Sequence, residues 1–185
     1  MRSQLKAIHL YLTGYRGCGK STLSRLLGSR LNRHVVDTDE LIEIKANATI
    51  ASIFDAVGEE GFRDQESAVI AEVAQRAVPH VIALGGGAIL RDTNRELIRQ
   101  SGWVAWLRAS PSTLAMRIAK DTTTNTRRPP LSKLGVVEEI ETVLARRTPL
   151  YQAVAHASFS SDTIELEELV DEVFRSYIQW QSTGD

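Results

Sequence analysis

A parallel α/β sheet covered by helices on both faces is the fold class this sequence predicts. Three observations carry that reading. Short apolar runs alternate with helix-periodic segments along almost the whole chain, a glycine-rich loop follows the first run, and one segment alone has no apolar period. The runs at 7–12, 34–36, 80–84, 103–107 and 157–159 read as five strands, and the longer ones have no polar face, as befits a sheet buried on both sides. Between them, Leu23, Leu26, Leu27 and Leu31 share one helical face. So do Phe62, Val69, Ile70 and Val73, then Val136, Val137, Ile140, Val143 and Leu144. The last stripe, Leu166, Leu169, Val170, Val173, Phe174, Tyr177 and Ile178, is the clearest. The aperiodic segment, 121–133, is rich in Thr, Asn, Arg and Pro and reads as a surface loop or a lid over a ligand.

Composition narrows the function. The chain has 185 residues, the length of one domain with a real core. A formal net charge of −1 leaves no basic surface for nucleic acid and no acidic tail. The lone cysteine, Cys18, forms no disulfide within the chain, and the first residues have no signal-peptide pattern, so a reducing, cytoplasmic setting is expected. No segment has the length and apolarity of a membrane span.

The string Gly14-Tyr15-Arg16-Gly17-Cys18-Gly19-Lys20-Ser21 matches G-x-x-x-x-G-K-[ST] between the first strand and the first helix. Glycines let the backbone wrap phosphate oxygens, and the amides from Gly14, Gly17, Cys18 and Gly19 through Ser21 and Thr22 then face the anion. Lys20 supplies charge for the β- and γ-phosphates, and Ser21 offers a hydroxyl to Mg²⁺. This predicts an ATP site and a three-layer P-loop NTPase fold. Cys18 is read as a small residue that fits the loop, with alkylation blocked by MgATP as a further expectation. No guanine-selecting Asn-Lys-x-Asp occurs, and the third strand ends in Gly85-Gly86-Gly87 rather than in the acid of a motor ATPase, so a small-molecule kinase is the expected class.

Five landmarks then arrive in order: the P-loop; Asp37-Thr38-Asp39; Gly58-Glu59-Glu60-Gly61-Phe62-Arg63-Asp64-Gln65-Glu66; Leu84-Gly85-Gly86-Gly87; and Arg128-Pro129 followed by Arg147-Thr148-Pro149-Leu150-Tyr151. Over nearly its whole length the chain resembles the shikimate kinase family. That resemblance implies a five-stranded sheet, an acceptor-binding subdomain at about 36–63 and a lid at about 122–133. It implies transfer of the γ-phosphoryl group of ATP to the 3-hydroxyl of shikimate, in aromatic amino-acid biosynthesis. Asp39 would grip and orient the acceptor hydroxyls. Arg63 and Arg147 would clamp the acceptor carboxylate, and Gly85, Gly86 and Gly87 would line its site. Arg128 would reach the phosphates from the lid, Arg127 being the alternative.

Asp37, a strand-end acid, is assigned to the Mg²⁺ shell beside Ser21. Arg117 or Lys120 would stack on adenine with residues 160–163 opposite. The partners expected are the two small molecules, with no nucleic acid, no membrane and no second copy of the chain. A kinase for another hydroxylated acid, such as gluconate, and a non-catalytic nucleotide-binding regulator are the alternatives.

Overall fold

The computed structural model describes residues 8–120, 135–162 and 164–183. Five parallel strands form one sheet: β1 (His9–Thr13), β2 (Val35–Asp37), β3 (Val81–Ala83), β4 (Gly102–Arg108) and β5 (Ala157–Ser160), in the order β2-β3-β1-β4-β5. All five predicted strands are present, each within two residues of its expected ends. Among the described residues seven helices connect or follow them: α1 (Lys20–Leu31), α2 (Thr38–Ala46), α3 (Ile50–Ala74), α4 (Asp92–Ser101), α5 (Pro111–Lys120), α6 (Val136–Val154) and α7 (Leu166–Thr183).

Alternation along the strands sorts the core into two layers. On β1, Leu10 and Leu12 face one way with Trp103, Ala105 and Leu107 of β4, against Leu23 and Leu27 of α1 and Val173 and Tyr177 of α7. Tyr11, Val104 and Trp106 face the other way, against Ile70 and Val73 of α3, Ile98 of α4 and Tyr151 of α6. A third, smaller cluster (Ile42, Ile50, Ile53, Phe62 and Val69) packs α2 onto α3 and gives that region a core of its own. The ends of the α6 and α7 stripes are less buried than their centres: Val136, Val137, Leu166 and Ile178 are exposed, and within the α1 stripe Leu26 is exposed as well. A stripe read at helical spacing runs past the area its helix buries.

Strand order places the site. The neighbours of β1 are β3 and β4, so the chain leaving β1 enters the crevice at the carboxyl ends of the strands where connections diverge to either side. Asp37 is in register with Ala83, which brings the turn after β2 beside the turn after β3.

α3 is not straight. Gly58 interrupts it at φ 70°, ψ −175°, and separates 50–57 from 59–74. Only glycine occupies that region without strain. No atom stands within 4 Å of where a Cβ on Gly58 would lie, so the cost of a side chain there is backbone strain alone. Gly58→Ala is expected to destabilise the fold by about 1–3 kcal/mol, measured by chemical denaturation.

Two histidines are held neutral. His156 Nδ1 accepts from Val104 N at 3.0 Å, and burial, then Arg99, lower its pKa to about 4. His9 Nδ1 accepts from His80 N at 3.1 Å, and burial, then His80, lower its pKa as well. In the unfolded chain each titrates near the ordinary value of about 6.5. The fold therefore binds fewer protons than the unfolded chain below pH ~6.5; this stability is present in full above that pH and is lost as pH falls, for His156 toward about 4. The thermal midpoint should fall between pH 7 and pH 5, and His156→Gln should flatten that slope.

Candidate active site

The first backbone bond of α1 runs from Leu23 N to Gly19 O at 3.0 Å. The amides of Lys20, Ser21 and Thr22 thus precede the intrahelical ladder and project from the helix start, where partial positive charge gathers. Gly14, Gly17 and Gly19 all have positive φ, which wraps the loop over that end. Lys20 Nζ donates to Gly14 O at 2.8 Å and Tyr15 O at 3.0 Å, folding its ammonium into the loop.

Cys18 is fully buried, its thiol packed in the core beneath the loop and its amide donating to Tyr15 O at 3.3 Å. The alkylation expectation is corrected on this point: the sulfur is a packing group with no exposed face for a reagent.

Asp37 ends β2 and caps α2. Its Oδ1 accepts from Asp39 N at 3.0 Å and Glu40 N at 3.4 Å, while its Oδ2 accepts from Ser21 Oγ at 3.0 Å. The helix cap is therefore Asp37, which leaves the Asp39 side chain to a different task. Burial, then the neighbouring Asp39, push the Asp37 carboxyl above its ordinary range. The pair formed by Ser21 Oγ and Asp37 Oδ2 fits a small hard cation that keeps most of its waters, whose charge would hold Asp37 ionised.

The glycine turn after β3 is where the predicted acceptor residues meet. A Cβ on Gly85 would overlap Asp39 Oδ1 and stand 3.1 Å from Glu66 Oε1. A Cβ on Gly87 would stand 2.8 Å from Arg63 Cζ. Arg147 Nη1 donates to Gly86 O at 2.9 Å. On its other side Gly86 abuts the P-loop: its missing Cβ would lie 3.6 Å from both Gly14 O and Arg16 N. Asp39, Arg63, Arg147 and the phosphate loop thus converge on three consecutive residues.

Glu66 had no assigned role. It is fully buried and accepts from Arg63 Nη1 at 2.7 Å, while Glu59 takes Nη2 at 3.3 Å. Two carboxylates hold one edge of the guanidinium, and Arg63 Nε has no hydrogen-bond partner among the described residues. The i, i+3 spacing of Arg63 and Glu66 on a predicted helix was the available signal.

At the far side, Arg117 Nη1 and Nη2 donate to Ser161 Oγ at 3.1 Å and Ser161 O at 2.6 Å. This direct contact joins Arg117 and Ser161 in one wall, whereas they were expected on opposite sides of the ring; Lys120, the alternative to Arg117, is not part of that contact. Arg127, Arg128 and the expected lid lie outside the described residues. A surface groove of about 410 Å³ between α2 and α3, lined by Ile42, Lys45, Gln65, Val69 and Glu72 among others, contains none of these site residues. Among the described residues no helix is long and apolar enough to cross a membrane.

The comparisons with known proteins agree with this geometry. The family model described as "Shikimate kinase" matches residues 16–178. A shikimate kinase of Rhodopirellula baltica is 47% identical over 173 residues, covering 94% of this chain and 92% of the relative. One of Symbiobacterium thermophilum is 43% identical over 166 residues, covering 90% and 94%. The structure of shikimate kinase from Acinetobacter baumannii in complex with shikimate superposes with a TM-score of 0.85 at 33% identity, over 95% of this chain and 96% of that one. With its phosphate loop, carboxylate and paired arginines drawn together at one glycine turn, this chain belongs to the shikimate kinase family.

Proposed function

We propose that this chain transfers the γ-phosphoryl group of ATP to the 3-hydroxyl of shikimate, giving ADP and shikimate 3-phosphate on the route to aromatic amino acids. The observation that carries this is the seating of Asp39, Arg63 and Arg147 on a glycine turn whose middle residue faces the P-loop. A carboxylate acceptor and a polyphosphate would then meet across one backbone contact. The relative whose solved complex holds shikimate covers nearly the whole chain and supports the choice of acceptor.

The amides of Lys20, Ser21 and Thr22 receive the phosphates, together with the loop from Gly14 to Gly19. Lys20 exchanges the carbonyls of Gly14 and Tyr15 for phosphate oxygens. Arg63 and Arg147 take the acceptor carboxylate as planar forks, a geometry an ammonium does not reproduce. Asp39 accepts from the acceptor hydroxyls, orients one oxygen toward the γ-phosphorus and receives its proton. Phosphoryl transfer asks mainly for alignment and charge stabilisation, so orientation is the larger part of this contribution. Mg²⁺, held through Ser21 and Asp37, would supply charge neutralisation on the polyphosphate when bound. Arg128 is assigned to the transferring group from the lid, and 36–63 to an acceptor subdomain, which the separate α2–α3 cluster favours. Every residue named comes from one chain, so action as a monomer is proposed, and a reducing cytoplasm suits the buried, unpaired Cys18.

The test is ADP release with shikimate, gluconate and quinate side by side. Shikimate-dependent release is expected, and none with shikimate overturns the proposal. Arg147→Lys should raise the shikimate KM by about tenfold or more with the ATP KM nearly unchanged, because the fork is lost and the charge kept. Lys20→Ala should lower kcat by about a hundredfold or more, since its charge matters most as the phosphoryl group transfers.

A further inference from the structure

Gly85, Gly86 and Gly87 have no side chains to restrict their backbone, and yet Asp39, Arg63 and Arg147 are placed against them. Glycine peptides rotate with little steric resistance, so hydrogen bonds must set the direction of each N–H and C=O in this turn. Gly85 N donates to Thr38 Oγ1 at 2.8 Å. Gly85 O and Gly87 O accept from Ala88 N and Leu90 N, each at 3.0 Å. Among the described residues Gly86 O, the middle carbonyl, is held only by side chains: Tyr151 Oη donates to it at 2.8 Å and Arg147 Nη1 at 2.9 Å. The amides of Gly86 and Gly87 make no bond among the described residues and remain as donors within the site.

Resting on the function proposed above, we infer that the hydroxyls of Thr38 and Tyr151 are positioning residues for the acceptor, fixing the glycine turn so that the Arg147 fork and the Gly86 and Gly87 amides face it at set angles. Thr38 is fully buried and stands one residue past the Asp37–Ala83 pair, so its hydroxyl continues the β2–β3 pairing after the β2 backbone has turned into α2. Tyr151 is fully buried, with its ring stacked on Trp106 at 5.7 Å and 19°. Burial raises its pKa, so the phenol stays protonated and its O–H remains a donor. Two donors on one carbonyl occupy both lone pairs and fix its direction, which in turn fixes the plane of the guanidinium bonded to it. Arg147 and Tyr151 are four residues apart on α6 and so share the face that meets the turn. Neither hydroxyl is placed against the reacting atoms; both act through the backbone.

The test compares Tyr151→Phe, Thr38→Val and Thr38→Ser with the unaltered chain in the ADP-release assay, varying shikimate and ATP separately. Each loss of a hydroxyl should raise the shikimate KM about five- to tenfold, the worth of one buried hydrogen bond. The ATP KM and the kcat at saturating shikimate should stay within about threefold, and Thr38→Ser, which keeps the hydroxyl, should lie near the unaltered chain. A structural role alone would lower thermal stability without this split between the substrates or the rescue by serine. Active Tyr151→Phe and Thr38→Val with an unchanged shikimate KM overturn the inference alone. An unaltered chain inactive toward shikimate overturns the proposed function and this inference with it.

Discussion

A turn of three consecutive glycines, the outer two with no room for a Cβ, is the constraint on which the site depends. At Gly85 a methyl group would overlap the Asp39 carboxylate, and at Gly87 it would enter the Arg63 guanidinium. At Gly86 it would only reach ordinary contact distance of the P-loop backbone and Arg147, so the exclusion of a side chain falls on the two flanking glycines. A charged side chain can reach this deep into the molecule only because backbone, with its own donors and acceptors, forms the opposing wall. The same absence of side chains that admits three charged groups also lets a substrate approach the main chain closely. The turn is therefore both the meeting point of the predicted residues and a surface with polar groups of its own.

Charge placement follows the same economy. Arg63 and Glu66 are both buried, and an arrangement of that kind persists only where each charge is paired and hydrogen-bonded. Glu66 gives the Arg63 guanidinium a fixed edge, so the rest of the group is oriented in advance, as the carboxylate clamp proposed above requires. Lys20 is handled differently: its ammonium rests on two carbonyls of its own loop, neutral partners that an anionic phosphate outbids. Arg63 is held by ions and Lys20 by dipoles, which matches a fixed clamp on one side and a movable charge on the other.

Much of this was legible in the sequence, for identifiable reasons. Parallel strands buried on both faces are continuous apolar runs, and five such runs became five strands. Helices α4 and α5 had no assigned stripe because each is only 10 residues long and buries just two residues fully, Asn94 and Ile98 in one, Leu114 and Ile118 in the other. Asp39, Arg63 and Arg147 could be named because the motifs that hold them occur in the order of a known family's motifs. Thr38 and Tyr151 could not. A hydroxyl on an otherwise apolar, fully buried side chain looks like packing until its partner is known, and both partners are backbone atoms at long range, Gly85 N and Gly86 O. Sequence patterns register side-chain chemistry, whereas these contacts depend on which main-chain group the fold brings alongside.

The triplet Asp37-Thr38-Asp39 shows how one short string serves three directions. In a strand, side chains at 37 and 39 would share a face and 38 would oppose them. Here β2 ends at Asp37 and α2 begins at Thr38, so successive side chains step about 100° around a helix axis instead of alternating. Asp37 turns to Ser21 and the start of α2, Thr38 to Gly85 N, and Asp39 to the space beside Gly85 and Glu66. A strand continuing to residue 39 would send both carboxylates to one side and leave the β3 turn without its hydroxyl. The change from strand to helix at this residue separates the acid bonded to Ser21 from the acid beside Gly85 by a single threonine, and that threonine bonds to the same glycine turn.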